Sequence, residues 1–380
     1  MKQHWLALTF LAISPFSIVD TVHGQTIQLA TSDRLTLGTE INRTASVRIG
    51  DLDGDGDGDV VVANGRHWPQ QNYLFLNAGR AKFSLARSVG TDRRTSYAAE
   101  IADLDSDGDL DIVTANDMAL GRIFLNDGAG RFAVHAEFGE VSSVRSLTTA
   151  DIDRDTDMDL LITCRGKPNR IYLNDGKARF LAGPVFGTAD DSTINVAVAD
   201  IDNDGHLDLV LANRDRQPNE ILFGDGNLEF GRRLQFGDGK DSTRAVVVAD
   251  MNGDGKLDWV IANIQQANRL FIGDGTGGVT ESIPLGESQK TYSMAVADMD
   301  NDGDMDVIAG NVADQNCVYL NDGRAGSFRE VAFGDANGST YGLAVGDLDG
   351  DGLADIAVAN SDGYNRVFLN RTPTRKANQP

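Results

Sequence analysis

A nine-residue acidic string, Asp-x-Asp-x-Asp-Gly-x-x-Asp, occurs seven times with variants, starting at Asp51, Asp103, Asp151, Asp200, Asp250, Asp298 and Asp347. Successive starts lie 52, 48, 49, 50, 48 and 49 residues apart. So regular a period restricts the chain to a repeat architecture, in which each unit buries its apolar surface against its neighbours. The units share one internal order. In the third, Ser146 to Ala150 precedes the acidic string and Leu160-Leu161-Ile162-Thr163 follows it. Asn169 to Leu173 then leads into Asn174-Asp175-Gly176, and Arg179-Phe180 opens a run to Phe186-Gly187. Four short apolar runs separated by turn residues predict four strands per unit, named A to D here. No segment has helical periodicity, which sets helical solenoids aside. The reading is all-β: a seven-bladed β-propeller of four-stranded blades.

The termini predict how the ring closes. The seventh unit stops at Val367-Phe368-Leu369-Asn370, one strand short. Thr26 to Gly38 ends in Arg34-Leu35-Thr36-Leu37-Gly38, and Gly38 precedes its acidic string by 13 residues, as Gly334 does. The N-terminal strand is therefore expected to complete blade seven, leaving no open sheet edge. Ahead of it, Lys2, the mostly apolar Trp5 to Val19 and the small residues around Gly24 read as a signal peptide over residues 1–24. The propeller then occupies 25–370 and a basic tail 371–380. Ser14, Pro15 and Ser17 interrupt the apolar stretch, and no other stretch is long enough to span a bilayer. The mature chain is expected to be secreted (periplasmic, extracellular or cell-surface). Cys164 falls in blade three and Cys317 in blade six, so two buried thiols are expected rather than a disulfide.

The formal charge is −23, with 57 acidic residues against 34 basic. That balance argues against nucleic acid as a partner. The seven strings hold 31 of the acids, which points to a specific use for them. Carboxylates at positions 1, 3, 5 and 9 can converge on one point, with a carbonyl at 7 and Gly at 6 for the sharp turn. This suits calcium, which takes six to eight oxygen ligands. The candidate ligands are Asp51, Asp53, Asp55 and Asp59; Asp103, Asp105, Asp107 and Asp111; Asp151, Asp153, Asp155 and Asp159; Asp200, Asp202, Asp204 and Asp208; Asp250, Asn252, Asp254 and Asp258; Asp298, Asp300, Asp302 and Asp306; and Asp347, Asp349, Asp351 and Asp355. Up to seven structural Ca²⁺ are expected, with blade three in doubt because Thr156 replaces the Gly. A terminal Glu at position 12 and flanking helices are missing, so this is not an EF-hand.

These strings, with Asn-Arg-Ile-Tyr-Leu-Asn-Asp-Gly at 169–176 and its relatives, resemble FG-GAP/VCBS-type repeats such as those of integrin α-subunit propellers. The resemblance covers Thr26 to Asn370. It implies a calcium-binding propeller with the metals in the A–B hairpins on one face. The fold carries adhesion modules, lectins and polysaccharide lyases alike, so it fixes no single activity.

If the A–B hairpins share a face with the C–D turns, the opposite face carries the B–C and D–A loops. Those loops supply Arg43, Arg93, Arg94, Arg145, Lys240, Arg244, Lys290, Arg66, His67, Arg165, Lys167, Arg214 and Arg216, against few acids. Six residues before each string stand Ala45, Tyr97, Arg145, Ile194, Arg244, Tyr292 and Tyr341, which are expected to ring the central opening. Tyr and Arg are frequent binding anchors. The long B–C loop of blade one adds Arg66, His67 and Trp68. The candidate ligand site is therefore Arg66, His67, Trp68, Tyr97, Arg145, Arg244, Tyr292 and Tyr341, binding an acidic glycan or protein. The alternative is a polysaccharide lyase acting on uronic acids, with Arg145 or Arg244 neutralising the carboxylate and His67 or Tyr97 as base.

Overall fold

The computed structural model describes residues 27–373. The predicted signal peptide and residues 374–380 of the predicted tail lie outside these. Strand pairing yields seven antiparallel four-stranded units. Blade two shows the plan, with Ser96–Ala102 (A), Asp111–Asn116 (B), Gly121–Asn126 (C) and Phe132–Phe138 (D) hydrogen-bonded in that order. Elsewhere consecutive strands fuse: Asp258–Gly273 supplies B and C of blade five, and Asp355–Asn370 those of blade seven. No α-helix occurs among the described residues, so none is long and apolar enough to cross a membrane.

The N-terminal strand does complete blade seven. Leu29 and Ala30 pair with Asn370 and Leu369, and Thr36 and Leu37 pair with Arg366 and Asn365. The same strand, Thr36–Gly50, continues as strand A of blade one. The A strands pack against one another in cyclic order, strand A of blade seven (Thr340–Gly346) touching those of blades six and one.

The burial pattern follows from this stacking. Strand B is covered on both sides by neighbouring blades, so runs such as Val60-Val61-Val62-Ala63 and Leu209-Val210-Leu211-Ala212 are apolar without alternation and fully buried. Each seam holds its own core. Leu52, Val61 and Leu74 meet Ile112 and Phe124 between blades one and two, and Leu37, Val60 and Phe75 meet Ala357 and Val367 at the closing seam. Cys164 and Cys317 are buried free thiols.

Two tiers of asparagine tie the blades together. On the hairpin face, the Asn ending strand C donates to the backbone of the preceding blade: Asn126 to Leu52, Asn174 to Leu104, Asn321 to Met251 and Asn370 to Met299. Asn77 reaches Leu348 of blade seven at 2.8 Å. On the other face, the Asn starting strand C donates to a hydroxyl of the next blade, as Asn72 does to Ser96 and Asn365 to Thr44. These amides are buried and fully partnered, so each loss would leave polar groups stranded in a dry seam.

Candidate functional site

The acidic loops fold alike. In all seven, the position-six N–H donates to the first Asp at 2.8–3.1 Å. The position-nine Asp is buried and braces the hairpin. One of its oxygens accepts the position-two N–H and the other accepts the N–H of the residue ending strand C. In blade two, Asp111 takes Leu104 N–H at 3.0 Å and Asn126 N–H at 2.9 Å. Burial, against these hydrogen bonds, lifts the Asp59, Asp111, Asp159, Asp208 and Asp355 carboxyls to about 6, and that of Asp306 to about 7.

The first, third and ninth carboxylates converge. Oxygens of Asp51, Asp53 and Asp59 lie within 4.8 Å of one another, as do those of Asp103, Asp105 and Asp111, of Asp151, Asp153 and Asp159, and of Asp200, Asp202 and Asp208. In blade six Asp298, Asp300 and Asp302 converge. Buried oxygens of Asp53, Asp105, Asp151, Asp300 and Asp349 accept no hydrogen bond. Clustered anionic oxygens without donors suit a hard cation. These loops could hold metal ions. In blades four and seven a guanidinium at ion-pair distance answers part of the charge: Arg232 sits 2.6 Å from Asp202, and Arg371 pairs with Asp349 and, at 2.9 Å, with Asp351.

Blade three, doubted for Thr156, keeps the position-six bond and the converging carboxylates, but its position-five N–H turns from the first Asp to Asp153 at 3.3 Å, which leaves one Asp151 oxygen without a donor. The cost is conformational. Thr156 adopts φ 82°, in the region where the equivalent Gly56, Gly108 and Gly303 lie at 91°, 94° and 100°. A β-branched side chain there costs about 1–2 kcal/mol. Thr156→Gly is expected to stabilise the protein by about 1 kcal/mol, read as a small rise in melting temperature. A fall would show that the Thr side chain contributes a contact.

On the opposite face, the seven residues that start strand A surround one cavity of about 350 Å³ on the propeller axis, as expected from their spacing. Three guanidiniums face three phenol rings there. Arg66 lies 3.8 Å over Tyr341, Arg145 lies 4.7 Å from Tyr97 and Arg244 lies 5.1 Å from Tyr292. Tyr292 and Tyr341 meet edge to face at 4.8 Å. His67 hangs over the rim, its Nδ1 2.9 Å from the Tyr97 hydroxyl. Burial, then Arg66 and Arg145, hold the imidazole below its ordinary pKa, so it is neutral at pH 7. Deeper in, Arg48 pairs with Glu100, a contact the sequence did not single out.

The cationic character of this face is narrower than the loop inventory implied. Arg43 pairs with Asp362, Arg94 with Glu137, Arg145 with Asp117, and both Arg165 and Arg214 with Asp215. Acids distant in sequence are thus brought onto the same rim by the ring. Arg66 and Arg244, like Arg93, Lys167, Arg216, Lys240 and Lys290, take part in no ion pair of the described residues, and of these seven it is Arg66 and Arg244 that line the cavity. Burial, with Arg214 nearby, brings Arg244 down to about 10. Arg66 Nε is buried without a hydrogen-bond partner.

Residues 51–114, 103–162, 158–211, 200–261, 250–309 and 298–358 each match the FG-GAP-like repeat. The chain belongs to the FG-GAP-like repeat family. No curated protein sequence matches it as a relative. Among solved structures it is similar to the BP39L lectin from Burkholderia pseudomallei, with TM-score 0.68 and 12% identity over 88% of this chain and 98% of that one. It is also similar to BBS1N, solved in complex with ARL6DN, with TM-score 0.60 and 13% identity over 92% of this chain and 98% of that one. At such identities the likeness is one of fold. In this FG-GAP-like propeller the repeat places the acidic loops and the cavity at opposite ends of strand A. Around the cavity, the side chain near the start of strand A differs from blade to blade: Ala45, Tyr97, Arg145, Ile194, Arg244, Tyr292 and Tyr341.

Proposed function

We propose that this is a binding module whose axial cavity holds an anionic group of an acidic glycan or protein, on a scaffold braced by Ca²⁺ in the acidic loops. The observation that carries the reading is the pair Arg66 and Arg244: two guanidiniums without a carboxylate partner, held over Tyr341 and Tyr292 at one cavity. A partly buried cation without its counter-ion is costly, and an incoming carboxylate or sulfate relieves that cost. The aromatic rings preset the guanidinium planes, so little entropy is lost on binding. The lectin likeness is compatible with a glycan, and the predicted signal peptide with a secreted protein. The test is calorimetric titration with polygalacturonate and with a neutral polysaccharide of similar length. Only the acidic chain should bind, more weakly as salt rises, and Arg244→Met should weaken it at least tenfold. Equal binding of the neutral chain would overturn the reading.

One contact favours a second reading. The neutral His67 imidazole touches Tyr97 hydroxyl beside Arg145. That is a base and a proton carrier in contact, with Arg244 lining the same cavity as carboxylate neutraliser, since Arg145 already faces Asp117, as β-elimination from a uronic acid requires. In the same titration mixtures, rising ultraviolet absorbance from an unsaturated product, abolished by His67→Ala, would establish a lyase. Binding with flat absorbance would leave the module alone.

A further inference from the structure

The loop that sends Arg66 into the cavity and His67 onto Tyr97 also carries an aromatic ring the fold does not need. Trp68 is 62% exposed, whereas Trp259 is fully buried in the core. The loop that carries Trp68 is pinned at every step. Gly65 takes φ 107°, and a side chain there would run into the Arg94 and Trp68 carbonyls. Trp68 N–H donates to Gly65 O at 3.0 Å, and Gln70 accepts Arg43 N–H at 2.7 Å. Arg66 reaches Ser361 of blade seven at 3.1 Å, and His67 leans on Tyr97. Arg43 lies 5.8 Å over the indole and backs it. A large apolar ring held out in water on a hydrogen-bonded loop gains nothing for the fold and is placed for a flat partner.

The cavity itself is closed at the sides, because the A strands pack in an unbroken cycle. A ligand therefore enters along the axis. Its volume, about 350 Å³, lies near the lower edge of the range for small-molecule pockets, enough for one sugar acid and too little for a chain passing through.

We propose that the site has two subsites and reads the end of an acidic glycan. The terminal uronic acid enters the axial cavity with its carboxylate on Arg66 and Arg244, and the next sugar stacks on Trp68 outside the mouth. This rests on the anion-binding reading of the cavity. Tyrosine and tryptophan faces suit the C–H face of a pyranose better than a peptide backbone, which fixes the choice of a glycan over an acidic peptide end.

The test is a titration series with galacturonic acid, its trimer, long polygalacturonate and triglutamate, on the wild-type protein, Trp68→Ala and Arg244→Met. Trimer should bind more tightly than monomer, and the long polymer should bind one protein per chain end. Trp68→Ala should weaken trimer binding about three- to tenfold while leaving monomer affinity within twofold. Arg244→Met should weaken both. Trimer should also quench the tryptophan fluorescence that Trp68→Ala removes. The proposal is overturned if many proteins load along each polymer chain, if Trp68→Ala leaves the trimer unaffected or weakens monomer and trimer equally, or if triglutamate binds better than the trimer. If no uronate of any length binds, the anion-binding reading fails with it.

Discussion

Removal of calcium with EDTA should lower the melting temperature by on the order of 20 °C, and calcium but not magnesium should restore it. The size follows from the number of sites. A ligand present at a hundredfold excess over its dissociation constant stabilises by about 2.7 kcal/mol per site, so the six loops other than that of blade three contribute roughly 16 kcal/mol. The unfolding entropy of a domain of this length converts that to a shift of about 20 °C. The structure shows why the cation-free loops are costly. Carboxylates of Asp103, Asp105 and Asp111, and the equivalent groups of three other blades, crowd within 4.8 Å, and several buried oxygens have no donor. Magnesium requires tight octahedral geometry and keeps its waters, so it fits a loop of this breadth poorly. Blades four and seven, where Arg232 and Arg371 meet the third carboxylate, should lose least. A melting curve unchanged by EDTA would remove calcium from the account of this fold.

The repeat makes most of the architecture legible in the sequence. Spacing alone placed seven hairpins, the closing N-terminal strand and the ring of Tyr97, Arg145, Arg244, Tyr292 and Tyr341 around the axis. Position along a repeat maps directly to height and radius in a propeller. What spacing does not carry is partnership between blades. Asn365 and Thr44 are 321 residues apart and hydrogen-bonded at 3.0 Å, and the asparagines that read as turn residues are the clasps of the ring. Nor does it show which charges cancel. Asp117 and Asp215 belong to loops that looked basic, and only the closed ring brings them onto Arg145 and Arg165. The exposure of Trp68 was equally open, since nothing in a seven-residue loop says whether its indole turns inward.

The acidic loops also join two roles that substitution can separate within blade two. Asp111 has both oxygens committed to backbone N–H groups, from Leu104 and Asn126, and is 1% exposed. Asp105 has a buried oxygen that no donor meets. Asp111→Ala should therefore cost about 3–5 kcal/mol with or without calcium, because it strands two buried amides as well as removing a ligand. Asp111→Asn should recover only part of this, since its amide offers one acceptor oxygen for two donors. Asp105→Ala should cost about 2–3 kcal/mol in calcium by emptying one site. In EDTA it should be neutral or slightly stabilising, because it removes a carboxylate repelled by Asp103 and Asp107. Paired melts of the three variants, with calcium and with EDTA, decide the matter. If Asp111→Ala is harmless without calcium, the ninth carboxylate is a ligand and nothing more. If Asp105→Ala is as damaging in EDTA as in calcium, the third is part of the hairpin's own frame.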